Sequence, residues 1–265
     1  MTRRSADETE AAALARLYDL DLSEDPEDTA LYRALARRTG DPIVELGVGS
    51  GRVAAALAAD GHRVVGVDND PAMLSRAHAR VAREQVRGLS LVEADLVDAA
   101  EIEAVVAGGP YAFAYIALNS ILLLAAAERQ RAALGTMARL LETGGLAIVD
   151  AWQPSPADLV AFDGRLSLEW LRTDPETGNA VTKTVAAWFD PATRLVTLTT
   201  IFDEGPPGEP PIRWTRSDAL RLVTVDELAS FATAAGLEVE QLAGDHELGP
   251  LQPDSERVVL VARKR

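Results

Sequence analysis

The stretch PIVELGVGSGRVAAALAADGHRVVGVDND, Pro42 to Asp70, constrains this chain more than any other. A short apolar run leads into three alternate glycines, Gly47, Gly49 and Gly51, and a second apolar run ends in Asp68. Glycine takes the positive φ of a tight turn without steric cost, so the pattern reads as strand, glycine turn, helix and second strand. Strands this apolar are buried on both faces, as in a parallel sheet. The turn leaves a helix N-terminus facing the crevice at the carboxyl ends of those strands, where open α/β sheets take nucleotide-like ligands.

Strands and helices continue to alternate after this unit. LSLVEAD, YAFAYIAL and LAIVDAW read as further buried strands. Helices at PAMLSRAHARVAREQ, AEIEAVVAG and AAERQRAALGTMARLLETGG separate them, the last closed by its glycines. Residues 7–18 and 27–38 read as amphipathic helices ahead of the first strand, with Pro26 near the start of the second helix. Beyond Trp152 the chain turns to alternating segments rich in Thr, Val and Trp, with turns at DPETGN, DPAT and EGPPGEPP. This predicts an antiparallel sheet of about four strands. VDELASFATAAG is helical, and LEVEQLAG and ERVVLVARK pair as a hairpin at one edge of the main sheet.

The expected fold is therefore α/β: a Rossmann-like, open, mostly parallel seven-stranded sheet with helices on both faces, plus an inserted antiparallel β-sheet. Residues 1–40 make an N-terminal helical lid or cap, 41–160 with 226–265 the main domain, and 161–225 the insertion.

A net charge of −15 argues against nucleic acid, because a phosphate backbone needs a basic face. No apolar run approaches the roughly 20 residues that cross a bilayer. With no cysteine in the chain, thiolate metal sites and disulfides are excluded, no clustered metal-ligand pattern stands out, and a cytoplasmic location is expected. Asp19, Asp21, Glu24, Asp25, Glu27 and Asp28 crowd one segment, either as a solvated surface run or as an acidic mouth.

Charge also discriminates between cofactors. A dinucleotide loop spaces its glycines G-x-G-x-x-G, whereas here they run G-x-G-x-G and Arg52 stands in the place of the third dinucleotide glycine. Glu45, two residues before the first glycine, repels a pyrophosphate but suits an ammonium group, which S-adenosylmethionine carries. Asp68 ends the second strand as a bidentate acceptor for ribose hydroxyls, with Asn69 beside it. Asp95 ends the third strand, placed to accept from an adenine amino group while the Leu96 N–H donates to the ring. Asn119 and Ser120 follow the fourth strand on the same rim.

Taken in order, ELGVGSGR, VVGVDNDPAML, LVEADLVD, YIALNSILLL and LLETGGLAIVDAW resemble the successive motifs of class I S-adenosylmethionine-dependent methyltransferases. The likeness covers roughly residues 10–152, and the helix and strands after 225 also fit. It implies S-adenosylmethionine as cofactor, S-adenosylhomocysteine as product, and direct in-line transfer of a methyl group to a nitrogen or oxygen of a small molecule. By this resemblance Glu45 helps hold the methionine amino group and the loop glycines pass close to its backbone. Asp68 binds ribose, Met73 lies along the nucleoside and Asp95 faces adenine. LARLYDLD and the β insertion are further similar to small-molecule methyltransferases, among them the amino-sugar N-methyltransferases. That likeness makes Tyr18 a cover for the cofactor, and the insertion a substrate cleft or homodimer contact.

A catalytic base is less evident. His246, in AGDHELGPLQPDS between the last two strands, is the candidate to take a proton at neutral pH, with Asp245 and Asp150 as alternatives. Arg165, Arg172, Lys183, Arg194, Arg213 and Arg216 of the insertion either hold an anionic part of the acceptor or line the outer face of strands. Two rival readings share the same residues. One is a non-catalytic protein that binds S-adenosylmethionine. The other is a nicotinamide-dependent oxidoreductase, which Glu45 and the glycine spacing disfavour.

Overall fold

The computed structural model describes residues 3–24, 27–98, 100–102, 109–206 and 208–265, with side chains from Glu10 onward. Asp25, Pro26 and most of the helix expected over 100–108 lie outside the described residues. The main sheet contains β1 (Ile43–Leu46), β2 (Val64–Asp68), β3 (Leu89–Glu93), β4 (Tyr111–Ile116), β5 (Leu141–Trp152), β10 (Leu237–Ala243) and β11 (Arg257–Lys264). Their order is β10-β11-β5-β4-β1-β2-β3. β11 runs antiparallel to both β5 and β10, and the other pairs are parallel. The terminal hairpin thus lies at one edge of the sheet, as expected, and joins it on the β5 side. Between β1 and β4 the strand order reverses direction, which opens a crevice at the carboxyl ends.

Every residue of β1 and β4 is buried. Alternate side chains feed two cores, one on each face: Val44, Leu46, Ala114 and Ile116 on one side, Ile43, Phe113 and Tyr115 on the other. Helices α1 (Arg3–Asp21), α2 (Thr29–Thr39), α3 (Arg52–Ala59), α4 (Pro71–Glu84), α5 (Ala127–Leu140), α6 (Pro156–Ala161) and α7 (Val225–Ala234) complete the described architecture. Asp70 caps α4 by accepting from the Ala72 and Met73 N–H groups, with Pro71 in the first turn. Gly66 in β2 has a packing reason, since a Cβ there would come within 2.6 Å of Val48.

Two local expectations are corrected. α5 ends at Leu140 rather than at the glycine pair, because Leu141 already pairs with Tyr111 and starts β5. Gly145 serves an irregularity in that pairing, where a Cβ would press on the Glu142 and Tyr111 carbonyls. α6 was not expected from periodicity. It is six residues long and rests on a reciprocal capping box between Ser155 and Asp158.

The insertion is a separate four-stranded antiparallel sheet, β6 (Asp163–Thr173), β7 (Ala180–Asp190), β8 (Leu195–Gly205) and β9 (Ile212–Arg221), in sequence order. Its inner face takes α1: Leu17 and Leu20 pack with Val181 and Phe202, flanked by Trp170 and Trp214. Asp21 accepts from Trp170 Nε1 at 2.8 Å and from Lys183 Nζ at 2.6 Å, and Arg16 donates to Glu204 at 2.6 Å. The acidic N-terminal segment is therefore neither a solvated run nor an open mouth at these positions. Its carboxylates tie α1 down. Asp19 accepts from Ser50 in the glycine loop and from Arg76 of α4, and Asp28 is fully buried against Arg52.

Candidate active site

The crevice between β1 and β4 holds two cavities that meet at Gly47 and Ser120. The wider, of about 160 Å³, is lined by Asp68, Asn69, Asp95, Leu96 and Arg129 among others. The narrower, of about 20 Å³, is lined by Tyr18, Glu45, Ser50, Arg52 and Leu118 among others. Gly47 keeps the passage between them open: its φ is +80° and an added Cβ would lie 3.1 Å from the Ser120 Cβ. A larger hollow of about 430 Å³ lies on the loop before β11, at Gln153, Leu251 and Pro253, and shares no lining residue with these two.

Asp68 is fixed from both sides. Its Oδ2 accepts from the Gly49 N–H at 2.7 Å and its Oδ1 from the Asp70 N–H at 2.9 Å. Burial pushes its carboxyl above the usual range, while those amides pull it back. Each oxygen retains a lone pair for a hydroxyl donor. Asp95 accepts from the Val97 N–H at 3.2 Å and from Arg129 at 2.8 Å. Arg129 was not foreseen, because it lies on α5 and no local motif marks it.

Glu45 is the most perturbed carboxylate here. It is buried at the end of β1, accepts from the Tyr115 hydroxyl at 2.9 Å, and is pushed up to about 8 by burial, with Tyr115 and Arg52 opposing. Arg52 grips Asp28 with two 2.7 Å bonds, which join α2 to the start of α3. The third glycine of a dinucleotide loop is thus replaced by an anchor for the N-terminal cap. Tyr18, presented by α1, closes the narrow cavity, and burial pushes its hydroxyl up to about 12.

Tyr18, Glu45, Gly47, Asp68, Asn69, Asp95, Leu96 and Ser120 therefore come together, whereas Gly49, Gly51, Met73, Asn119 and His246 do not line these cavities. Gly49 acts through its N–H on Asp68, and Gly51 is the N-cap of α3, packed against Ala77. Met73 is buried on α4. Asn119, at φ +70°, accepts from the Trp152 N–H at 2.6 Å and so ties β4 to β5. His246 turns its Nε2 to the buried Asp150, 3.0 Å away, and Arg257 holds the other oxygen of that carboxylate. Of the three candidate bases, Asp150 and His246 are hydrogen-bonded to each other, and Asp245 accepts from the Gly249 N–H within its own loop.

Residues 43–145 match the family described as a methyltransferase domain. Over 114 residues it is 38% identical to the ribosomal protein L11 methyltransferase of Thermus thermophilus, a match spanning 42% of each protein. The aligned part is thus under half the length of that curated relative. Among solved structures, the CcbJ methyltransferase of Streptomyces caelestis superposes with a TM-score of 0.76 at 24% identity, over 92% of this chain and 98% of that one. The sugar N-methyltransferase KedS8 of a Streptoalloteichus species gives 0.69 at 21% identity, over 94% and 93%. The fold is that of S-adenosylmethionine-dependent methyltransferases.

The site fits that cofactor on its own chemistry. A buried carboxylate at the narrow end suits an ammonium, and paired carboxylates at the wide end suit ribose hydroxyls and an adenine amino group. The passage that a Cβ would fill suits a chain running between them.

Proposed function

We propose that the protein is a cytoplasmic S-adenosylmethionine-dependent methyltransferase acting on a nitrogen or oxygen of a small molecule. The observation that carries the reading is the convergence of Glu45, Asp68 and Asp95, from the ends of three successive strands, on one two-chambered cleft without a phosphate-binding glycine pattern. When bound, the cofactor supplies an electrophilic methyl group for direct in-line displacement. Glu45 holds the amino group at the narrow end, Asp68 the ribose and Asp95 the adenine edge. Tyr18 and α1 form a lid that excludes water, and alignment of donor and acceptor accounts for most of the rate.

The β insertion has two parts to play in this reading. Its inner face, with α1, roofs the cleft, and its outer face is a contact for a second copy. Leu166, Leu168, Leu171 and Trp188 stand on that outer face, each more than half exposed. An irregularity between Leu168 and Trp170 brings Leu171 onto the same side as Leu166 and Leu168. Thr, Ser and Ala fill the strands alongside, and the Asp203–Arg213 ion pair on this face neutralises itself. For chains of net charge −15, such a face is where two copies meet with least repulsion.

The test is methyl transfer from labelled S-adenosylmethionine across a panel of amines, phenols and sugars. Labelled product with at least one acceptor is expected. Tight binding of S-adenosylhomocysteine with no transfer to any member would reduce the protein to a cofactor binder.

A further inference from the structure

The inner face of the insertion carries one ion pair that the cofactor reading does not use. At the α1 end of this face the charges are matched by α1 itself, Lys183 with Asp21 and Glu204 with Arg16. On β9 the alternation then turns Trp214, Arg216, Asp218 and Leu220 to one side. Trp214 packs in the cluster of Leu17 and Phe202, and Leu220 packs against the core that contains Leu122 and Leu124. Arg216 and Asp218 therefore span the gap between α1 and the short 3-10 turn Leu122–Leu124. Tyr18 of α1 and Ser120, just before that turn, line the narrow cavity below the same gap. Arg216 is also close enough to Tyr18 for its charge to act on the phenol.

Within the pair, Arg216 Nε donates to Asp218 Oδ1 at 2.9 Å and stands 2.7 Å from Oδ2, and the two side chains are 32% and 19% exposed. Across the sheet, Leu198 lies opposite Asp218 and Thr200 opposite Arg216, with Ala187 and Val185 next on β7. One carboxylate and its guanidinium thus stand on the inner side of an otherwise uncharged stretch of the sheet. The other basic residues of the insertion are engaged elsewhere: Arg165 with Asp163, Arg172 with Glu24 and the end of α1, Arg194 and Arg221 with Glu227, and Arg213 on the outer face.

We infer that Asp218, oriented by Arg216, is the residue that receives the amino group of the methyl acceptor, and that the acceptor is a small amine whose uncharged body rests on Leu198, Val185 and Ala187. The inference rests on the methyltransferase reading above. A carboxylate held in place by an arginine accepts a hydrogen bond from an ammonium or amine N–H more strongly than from a hydroxyl of the same shape, and the nitrogen lone pair is free for the methyl group once the ammonium proton has passed to solvent. The acceptor nitrogen would then be held over the narrow end of the cleft, beside Tyr18.

Saturation-transfer NMR on the S-adenosylhomocysteine complex tests this with cyclohexylamine as probe and cyclohexanol as its uncharged counterpart. Cyclohexylamine is expected to bind about tenfold more tightly than cyclohexanol, a difference that one charge-assisted hydrogen bond supplies. In Asp218→Asn that preference disappears while S-adenosylhomocysteine affinity stays unchanged, and Asp218→Glu recovers part of it. Equal binding of the two probes by the unaltered protein, or a preference that survives Asp218→Asn, overturns the assignment. Loss of S-adenosylhomocysteine binding in both Asp218 variants would make the pair structural, which also overturns it. Failure of the unaltered protein to bind S-adenosylhomocysteine would instead remove the methyltransferase reading on which the assignment stands.

Discussion

The two sheets of this molecule use their faces in opposite ways. β1 and β4 in the main sheet are buried throughout, and what they offer to a ligand is their ends. In the insertion, β6 is exposed along most of its length, and what the strands offer is their sides, one to α1, one to solvent. The lesson is a division of labour. The parallel sheet fixes a cleft by strand order, while the antiparallel sheet supplies surfaces that α1 joins to it. The joint is electrostatic as well as apolar: Asp19, Asp21 and Asp28 each bind a cation or donor on a different element.

The sharpest way to break this comparison is in the main core. Phe113→Ala, at a fully buried position of β4, should cost about 4 kcal/mol and lower the melting temperature of the whole chain in calorimetry. Arg52→Met should come close to it. The variant strands the fully buried Asp28 without its guanidinium, a loss of about 3 kcal/mol measurable by urea unfolding. Phe202→Ala in the insertion should cost about 3 kcal/mol as well, but with a different signature. Because Phe202 packs against α1, protection of the α1 amides in hydrogen exchange should fall while that of β4 is retained.

Glu45 gives a prediction whose sign follows from its position. Its folded pKa, about 8, lies above the value of an unfolded glutamate, so the folded state holds a proton that the unfolded state releases. Its stabilising effect is complete below the unfolded pKa and is lost as pH rises through about 8. Glu45→Gln should therefore gain thermal stability over the unaltered protein as pH rises from 5 to 8, and the gap should level off above that. An ammonium ligand needs the ionised carboxylate, so S-adenosylhomocysteine binding should release a proton near neutral pH. Titration in buffers of different ionisation enthalpy would count it. The smallest effect on stability is expected on the outer face of the insertion. Trp188→Glu should change the unfolding free energy by about 0.5 kcal/mol or less, yet shift a dimer to monomer in sedimentation velocity.

How much of this was legible in the sequence divides along the same line. The main sheet was readable because its strands are continuous apolar runs between capped helices, and Glu45, Asp68 and Asp95 were readable because they end such runs. The four strands of the insertion were readable by alternation. Which of its faces pointed inward was not, since both faces carry Trp and Thr. The partners of Arg52, Asp19 and Asp95 could not be seen, because Asp28, Arg76 and Arg129 reach them across tertiary contacts and no spacing rule relates them. The partner of His246 was hidden for the same reason. Asp150 of β5 stands beside its imidazole across a long sequence separation, with Arg257 of β11 on the other carboxylate oxygen.

The central claim is that the two-chambered cleft of the main sheet binds S-adenosylmethionine, and calorimetric titration with S-adenosylhomocysteine, with NADH in parallel and repeated on Asp68→Ala, tests it most directly. The account predicts about micromolar binding of the adenosyl ligand by the unaltered protein, a loss of at least about tenfold in Asp68→Ala, and no binding of NADH. Folded protein that ignores S-adenosylhomocysteine, or that prefers NADH, would contradict it.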